Sequence, residues 1–127
     1  MLTRMLAALL PLLTLSVLLA CGGPPGGLPA TLSECPTDST VDWAVVGPLF
    51  QAHCTACHSS EKSGSERVGA KEGVDYDTAD LAFNSAETTP SISWAEIYSG
   101  SMPPGDATVP EADALAIHEW LSCGGPE

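Results

Sequence analysis

Basic side chains are scarce in this chain of 127 residues. Four Lys and Arg stand against 16 Asp and Glu, which gives a formal net charge of −12. Proteins that bind nucleic acid or anionic lipid surfaces depend on clustered positive charge. The deficit therefore argues against nucleic acid or anionic lipid as a partner. It favours partners with a basic docking surface, although solubility alone would also explain an acidic surface.

Long apolar runs are also lacking, except at the N-terminus. Residues 5–19 form an apolar run of about fifteen residues behind Arg4, which is too short to span a bilayer. A positive residue followed by such a run is typical of an export signal, here residues 1–20. Removing it leaves three basic against 16 acidic side chains, a formal charge of −13.

The signal ends in Leu18-Leu19-Ala20-Cys21, which resembles the lipobox of bacterial lipoproteins. Acylation of Cys21 would anchor the protein to a membrane surface, with its domain outside the cytoplasm. The alternative is an ordinary signal with Cys21 as a free thiol. Residues 21–40 are rich in Gly and Pro at their start and predict a tether.

No acid–base pair or nucleophile constellation stands out, which argues against an enzyme. Cys54-Thr55-Ala56-Cys57-His58 is the most informative stretch. It has the c-type haem signature, in which two thiols bond the haem vinyl groups and the adjacent imidazole ligates the iron. Two intervening residues let one helical turn span the vinyl groups. We therefore predict one covalent haem c per chain.

Three other interpretations use the same residues. A thioredoxin-like dithiol needs a strand-helix-strand unit, and no strand is predicted before Cys54. A zinc site needs four ligands, and Cys54, Cys57 and His58 supply only three. His53 is a possible fourth ligand but is too close in sequence. A structural disulfide between Cys54 and Cys57 would leave His58 unexplained.

A helix is predicted to lead into the motif, with its start at Gly47-Pro48, because Pro is tolerated at the first helical position. Phe50 and Cys54 share one face of that helix. After the motif, residues 59–73 contain every basic residue that follows the predicted signal. Their polar and charged residues show neither helical nor strand periodicity. That stretch predicts a solvated loop.

Three further helices are predicted beyond this loop. The first is capped by Asp77, the second opens at Thr89 and ends at Gly100, and the last opens with a capping box that starts at Thr108. His118 lies at the margin of the last apolar stripe and is predicted to be a surface imidazole. The residues predicted to face the core are Leu81, Phe83, Ile92, Trp94 or Tyr98, Ile97, Ala114, Ile117, Trp120 and Leu121.

The stretch Gly-Pro-Leu-Phe-Gln-Ala-His-Cys-Thr-Ala-Cys-His, which ends at His58, resembles the first helix and haem motif of class I c-type cytochromes. The resemblance covers residues 41–124. It implies an all-α cytochrome c fold, with three to four short helices around the haem and the last helix crossing the first near Phe50. It also implies that Met102, in a Gly/Pro loop, is the sixth iron ligand opposite His58.

The function implied by the resemblance is one-electron transfer by a low-spin haem with His and Met ligands. The expected setting is the periplasmic side of a bacterial membrane, with a lipid anchor at Cys21. The expected partners are redox proteins with a basic docking face, and the chain is expected to be a monomer. The alternatives are a haem sensor or catalytic haem domain with an open sixth site, and a non-haem metal or thiol module.

Two cysteines remain once lipid and haem are assigned, Cys35 and Cys123. Unassigned thiols in an exported domain favour a disulfide. In the cytochrome fold the first and last helices are in contact, so the resemblance implies that these two positions can meet. The alternative is a pair of free thiols.

Overall fold

The structure is a computed structural model that describes residues 27–85 and 87–125. These residues form helices α1 (Trp43–His53), α2 (Ala79–Asn84), α3 (Pro90–Ser99) and α4 (Glu111–Ser122), one short 3-10 helix (Gly64–Arg67), and no strand. The prediction of an all-α protein is confirmed. The predicted signal and Cys21 lie outside the described residues. Within them, no helix has the length and apolarity needed to cross a membrane.

Helix α1 begins at Trp43, before the predicted start at Gly47. Asp42 caps it, because its side chain accepts a hydrogen bond from the Val45 N–H at 3.2 Å. Pro48 therefore lies inside the helix, so the predicted start was wrong. The cap at Asp42 outweighs the preference of Pro for the first position.

Helices α1 and α4 pack together at the centre of the core. Phe50 of α1 and Trp120 of α4 are fully buried, with ring centroids 5.7 Å apart in an edge-on arrangement. The stripe predicted on α4 is confirmed, since all of its members are buried: Ala114, Ile117, Trp120 and Leu121. This packing holds the end of α1, where the Cys-x-x-Cys-His motif begins, against the last helix.

Among the three helices after α1, the predicted start was right for one and wrong for two. Thr89 caps α3 as predicted. Helix α2 is capped by Thr78 and not by Asp77, whose carboxylate instead accepts a backbone N–H from the loop after the motif. Helix α4 follows Pro110, so the capping box at Thr108 is not formed. Pro110 takes the N-cap position and its ring offers no acceptor, so this helix begins without a side-chain cap.

The inner face of α3 differs from the predicted one. Trp94 is buried, but Ile92 is 50% exposed, so its predicted burial was wrong. Ser93 is turned inward instead, and its hydroxyl hydrogen-bonds with the buried hydroxyl of Tyr76 at 2.9 Å. The helix ends where predicted, at Gly100, whose φ of 74° suits glycine.

Residues 28–35 form an N-terminal strap that lies against α3 and α4. The Pro29 carbonyl accepts a hydrogen bond from Trp94 Nε1 at 2.9 Å, and the Thr31 carbonyl lies 3.0 Å from His118 Nε2. His118 is 6% exposed, so its prediction as a surface imidazole was wrong. The strap covers the imidazole and supplies an acceptor for it.

The strap is also attached covalently. Cys35 and Cys123 form a disulfide, with their Cα atoms 4.5 Å apart. Leu28 and Leu32 pack against the core, and the Ser33 N–H donates to the Ser122 hydroxyl at 3.3 Å. Within the described residues, Leu28 already contacts the helical domain, although it belongs to the segment predicted as a tether.

Candidate functional site

Residues 54–58 form a tight turn at the end of α1, which we call the 54–58 turn. The Cys54 N–H donates to the Phe50 carbonyl at 2.8 Å. The N–H groups of Cys57 and His58 both donate to the Cys54 carbonyl, at 3.1 and 2.9 Å. These backbone bonds place two thiols and one imidazole on a single compact turn.

His58 is held in place through its Nδ1 atom, which lies 3.0 Å from the Val74 carbonyl oxygen. A carbonyl oxygen can only accept, so Nδ1 carries the proton and Nε2 keeps a free lone pair. Metal-bound histidines almost always donate their other ring N–H in this way. His58 is therefore oriented, and in the tautomer that an iron ligand requires.

Cys54 and Cys57 are free thiols, so the alternative of a disulfide between them is not the arrangement found. Burial raises the pKa of Cys54 to about 12. The turn also follows the C-terminus of a helix, where the macrodipole opposes a thiolate. A dithiol oxidoreductase needs the reverse, a thiol pKa lowered at a helix N-terminus. The surroundings of Cys54 therefore disfavour the thioredoxin-like alternative.

His53 is committed to another partner. Its Nε2 lies 2.8 Å from a carboxylate oxygen of Asp113, which joins the end of α1 to α4. Nowhere in residues 27–85 and 87–125 do three His, Cys, Asp or Glu side chains gather as a metal-binding group. The fourth ligand considered for the zinc alternative is therefore used in helix packing.

The loop after the turn, residues 59–75, is organised around a buried ion pair. Arg67 is 2% exposed, and its Nη2 lies 2.8 Å from Oδ1 of Asp75. The guanidinium also donates, at 2.7 to 3.4 Å, to the backbone carbonyls of Ser59, Lys62, Ala70, Lys71 and Val74. The prediction of a purely solvated loop was wrong at Arg67. Every residue has a backbone carbonyl, so the sequence could not show that Arg67 would bind a set of them.

An aromatic wall lies behind the turn. Tyr76 is buried, meets the His58 ring edge-on with centroids 5.4 Å apart, and stacks on Phe50 with centroids 5.2 Å apart. Burial raises the pKa of Tyr76, so its phenol stays protonated. The sequence pointed to Phe50 and missed Tyr76, which stands between two aspartates and outside any apolar period.

Met102 lies on the loop between α3 and α4. Its N–H donates to the Glu96 carbonyl at 3.1 Å, and the residue is 37% exposed. The thioether is therefore not part of the apolar core. Ligation of iron by Met102 stays a prediction.

Comparison of the chain with protein families, curated proteins and solved structures found no match. The function must therefore be argued from the side chains themselves. Those present fit haem c: two free thiols at the required spacing, an imidazole whose Nδ1 is already bonded, and a partly exposed thioether on a separate loop.

Proposed function

We propose that this protein is a one-electron carrier with one haem c, in the manner of class I c-type cytochromes. The observation that carries the proposal is the contact of His58 Nδ1 with the Val74 carbonyl, beside two free thiols on the same turn. A Cys-x-x-Cys-His spacing can arise by chance in any chain. An imidazole anchored in the ligating tautomer at that spacing is a second, independent requirement of a haem site.

Four side chains would hold the cofactor. Cys54 and Cys57 would form thioether bonds, His58 Nε2 would ligate the iron, and the Met102 sulfur would be the second axial ligand. When bound, haem supplies a reversible one-electron couple, and a Met ligand favours its ferrous form. The chain contributes rigidity, since two covalent bonds and an anchored imidazole limit any rearrangement on electron transfer.

The aromatic wall supports this role. Tyr76 keeps water from one side of His58, because its buried ring meets the imidazole and is backed by the buried ring of Phe50. A hydrophobic shell around a metal site lowers the local dielectric and raises the cost of extra positive charge. The wall therefore acts in the same direction as the Met102 ligand and favours the ferrous state.

The remaining expectations about location and partners belong to the same proposal. Residues 1–20 would direct export, Cys21 would carry lipid, and the charge of −13 would favour a redox partner with a basic face. Since Leu28 already packs on the domain, the free tether from Cys21 spans at most about 25 Å. The monomeric domain would thus stay close to the membrane surface.

The spectrum of protein exported from a host with cytochrome c maturation tests the proposal. We expect sharp α and β bands on reduction, and haem that stays with the chain in denaturant. A Cys54→Ala/Cys57→Ala variant should lose the covalent haem. The matched control, Cys35→Ser/Cys123→Ser, removes the same number of thiols and should keep it. A colourless wild-type protein would contain no haem and would rule out the proposal.

The exposure of Met102 supports a second candidate, a haem sensor or catalytic haem domain with an open sixth site. The two candidates differ in the weak far-red band that sulfur ligation gives the ferric protein. The carrier should show the band, and Met102→Ala should abolish it while the haem stays attached. Leu115→Ala, at a similarly exposed position on α4, should leave the band unchanged. A wild-type protein without the band would favour the open site.

A further inference from the structure

The Val74 carbonyl oxygen, which anchors His58, has a second donor. Arg67 Nη2 donates to it at 3.0 Å, the same distance at which His58 Nδ1 lies. A carbonyl oxygen has two lone pairs and can accept both bonds. The proposed iron ligand and a buried guanidinium thus share one acceptor.

We propose that Arg67 is a positioning residue that tunes His58 and thereby raises the reduction potential of the haem. This inference rests on the proposed function, because it concerns the ligand strength of His58 toward iron. It adds to that function a named residue, beyond the ligands themselves, that sets the balance between the two oxidation states.

The physical basis is competition for the carbonyl. A His ligand that donates strongly through Nδ1 becomes more basic and stabilises the ferric state. A second donor on the same oxygen draws away electron density, so the bond from His58 is weaker than it would be alone. The positive charge of Arg67 is largely offset by the Asp75 carboxylate 2.8 Å away, so the shared acceptor carries the effect. The weaker bond from His58 favours the ferrous state.

The geometry of Arg67 explains why this position needs a guanidinium. The two N–H groups of Nη2 are used by the carbonyls of Lys71 and Val74, at 2.7 and 3.0 Å. Asp75 Oδ1 lies 2.8 Å from the same nitrogen but accepts no hydrogen bond. Asp75 therefore acts on Arg67 through charge, while the donor pointed at Val74 stays available. A lysine has no planar fork with which to meet these carbonyls together.

Three variants in the exported haem protein test the inference. Arg67→Lys keeps the charge and loses the fork. Arg67→Gln/Asp75→Asn removes both charges, so the net charge is unchanged and no buried carboxylate is left without its partner. Lys71→Gln is the matched control, since it removes one positive charge from the same loop at an exposed ion pair with Glu87.

The first readout is the reduction potential. We expect both Arg67 variants to shift the one-electron equilibrium toward the ferric form several-fold, where each tenfold change corresponds to about 59 mV. The Lys71→Gln shift should be smaller. If the Arg67 variants shift the potential no more than the control does, while stability alone falls, Arg67 only supports the loop and the inference is wrong.

The second readout needs no variant. In the reduced, diamagnetic wild-type protein with 13C-labelled Val74, the carbonyl shift should be that of an oxygen with two donors. A one-donor shift overturns the inference even if the Arg67 variants fail to fold. The two proposals fail differently. Absence of covalent haem in the wild type removes both, whereas a normal His/Met haem with a one-donor carbonyl removes only this one.

Discussion

The Cys54 thiol is shielded from oxidation and from disulfide exchange. Its pKa of about 12 is set by burial at the end of α1. A cysteine in water, with a pKa near 8.5, is ionised in roughly a quarter of molecules at pH 8. The thiolate is the reactive form in oxidation and disulfide exchange. Burial therefore keeps Cys54 in the unreactive thiol form.

This shielding predicts slow alkylation. In haem-free protein carrying Cys57→Ser, we expect iodoacetamide to modify Cys54 at pH 8 at least about a hundred times more slowly than in urea-unfolded protein. The rate should rise with pH toward about 12, because the folded-state pKa is raised and only the thiolate reacts. Mass spectrometry gives the rates, and far-UV circular dichroism checks that helices are present. Equal folded and unfolded rates would contradict the burial of this thiol.

Among the helices, α1 contains a glycine, Gly47, in its interior, and the indole ring of Trp43 explains why. A Cβ added at Gly47 would lie 2.9 Å from Cε2 and 3.1 Å from Nε1 of Trp43. That ring cannot easily move, since it packs on Phe50 and Trp120 with centroids 5.7 and 5.4 Å apart. The glycine thus lets the indole lie across the helix and close the contact between α1 and α4.

Gly47→Ala should therefore reverse the usual helix preference. In most helix interiors this change stabilises by about 1 kcal/mol. Here we expect a loss of about 1 to 3 kcal/mol in the free energy of unfolding, measured by urea denaturation, because the core is overpacked. In a Trp43→Leu background the same change should be neutral or stabilising. A stabilised single variant would show that the ring is free to shift.

For the whole molecule, the disulfide links two residues near opposite ends of the described domain. The loop between Cys35 and Cys123 spans 88 residues. In the chain-entropy model such a loop stabilises the folded state by about 4 to 5 kcal/mol, a large share of the stability of a small domain. Replacing both cysteines with serine should remove most of that stability in urea denaturation. The haem spectrum of the folded fraction should not change. An unchanged midpoint would mean that the apolar contacts and hydrogen bonds of the strap hold it without the disulfide.

The net charge predicts how the rate of electron transfer depends on salt concentration. Residues 21–127 carry a formal charge of −13, so the proposed carrier should pass electrons to a cationic reagent or a basic protein more slowly as salt rises. Screening acts beyond about 8 Å at physiological ionic strength. Stopped-flow rates between low and high salt measure the effect, and a neutral reagent is the control. Rates that stay flat with the cationic partner would assign the acidic surface to solubility.

Features that depend on local spacing could be predicted from the amino-acid sequence. The stripe on α4, the start of α3 at Thr89 and its end at Gly100 all follow from periodicity and from backbone preferences within a few residues. The Cys-x-x-Cys-His spacing and the leftover pair Cys35 and Cys123 were readable for the same reason, because reactive side chains are few and their spacing is visible.

Features that depend on partners distant in the sequence became visible only in the folded chain. The burial of His118 requires the strap, and the burial of Arg67 requires backbone carbonyls that no side-chain pattern reveals. The acceptor of His58, the Val74 carbonyl, is a group that nearly every residue possesses. Which one meets the imidazole is set by the path of the chain between them, and that path is fixed by long-range packing and hydrogen bonding.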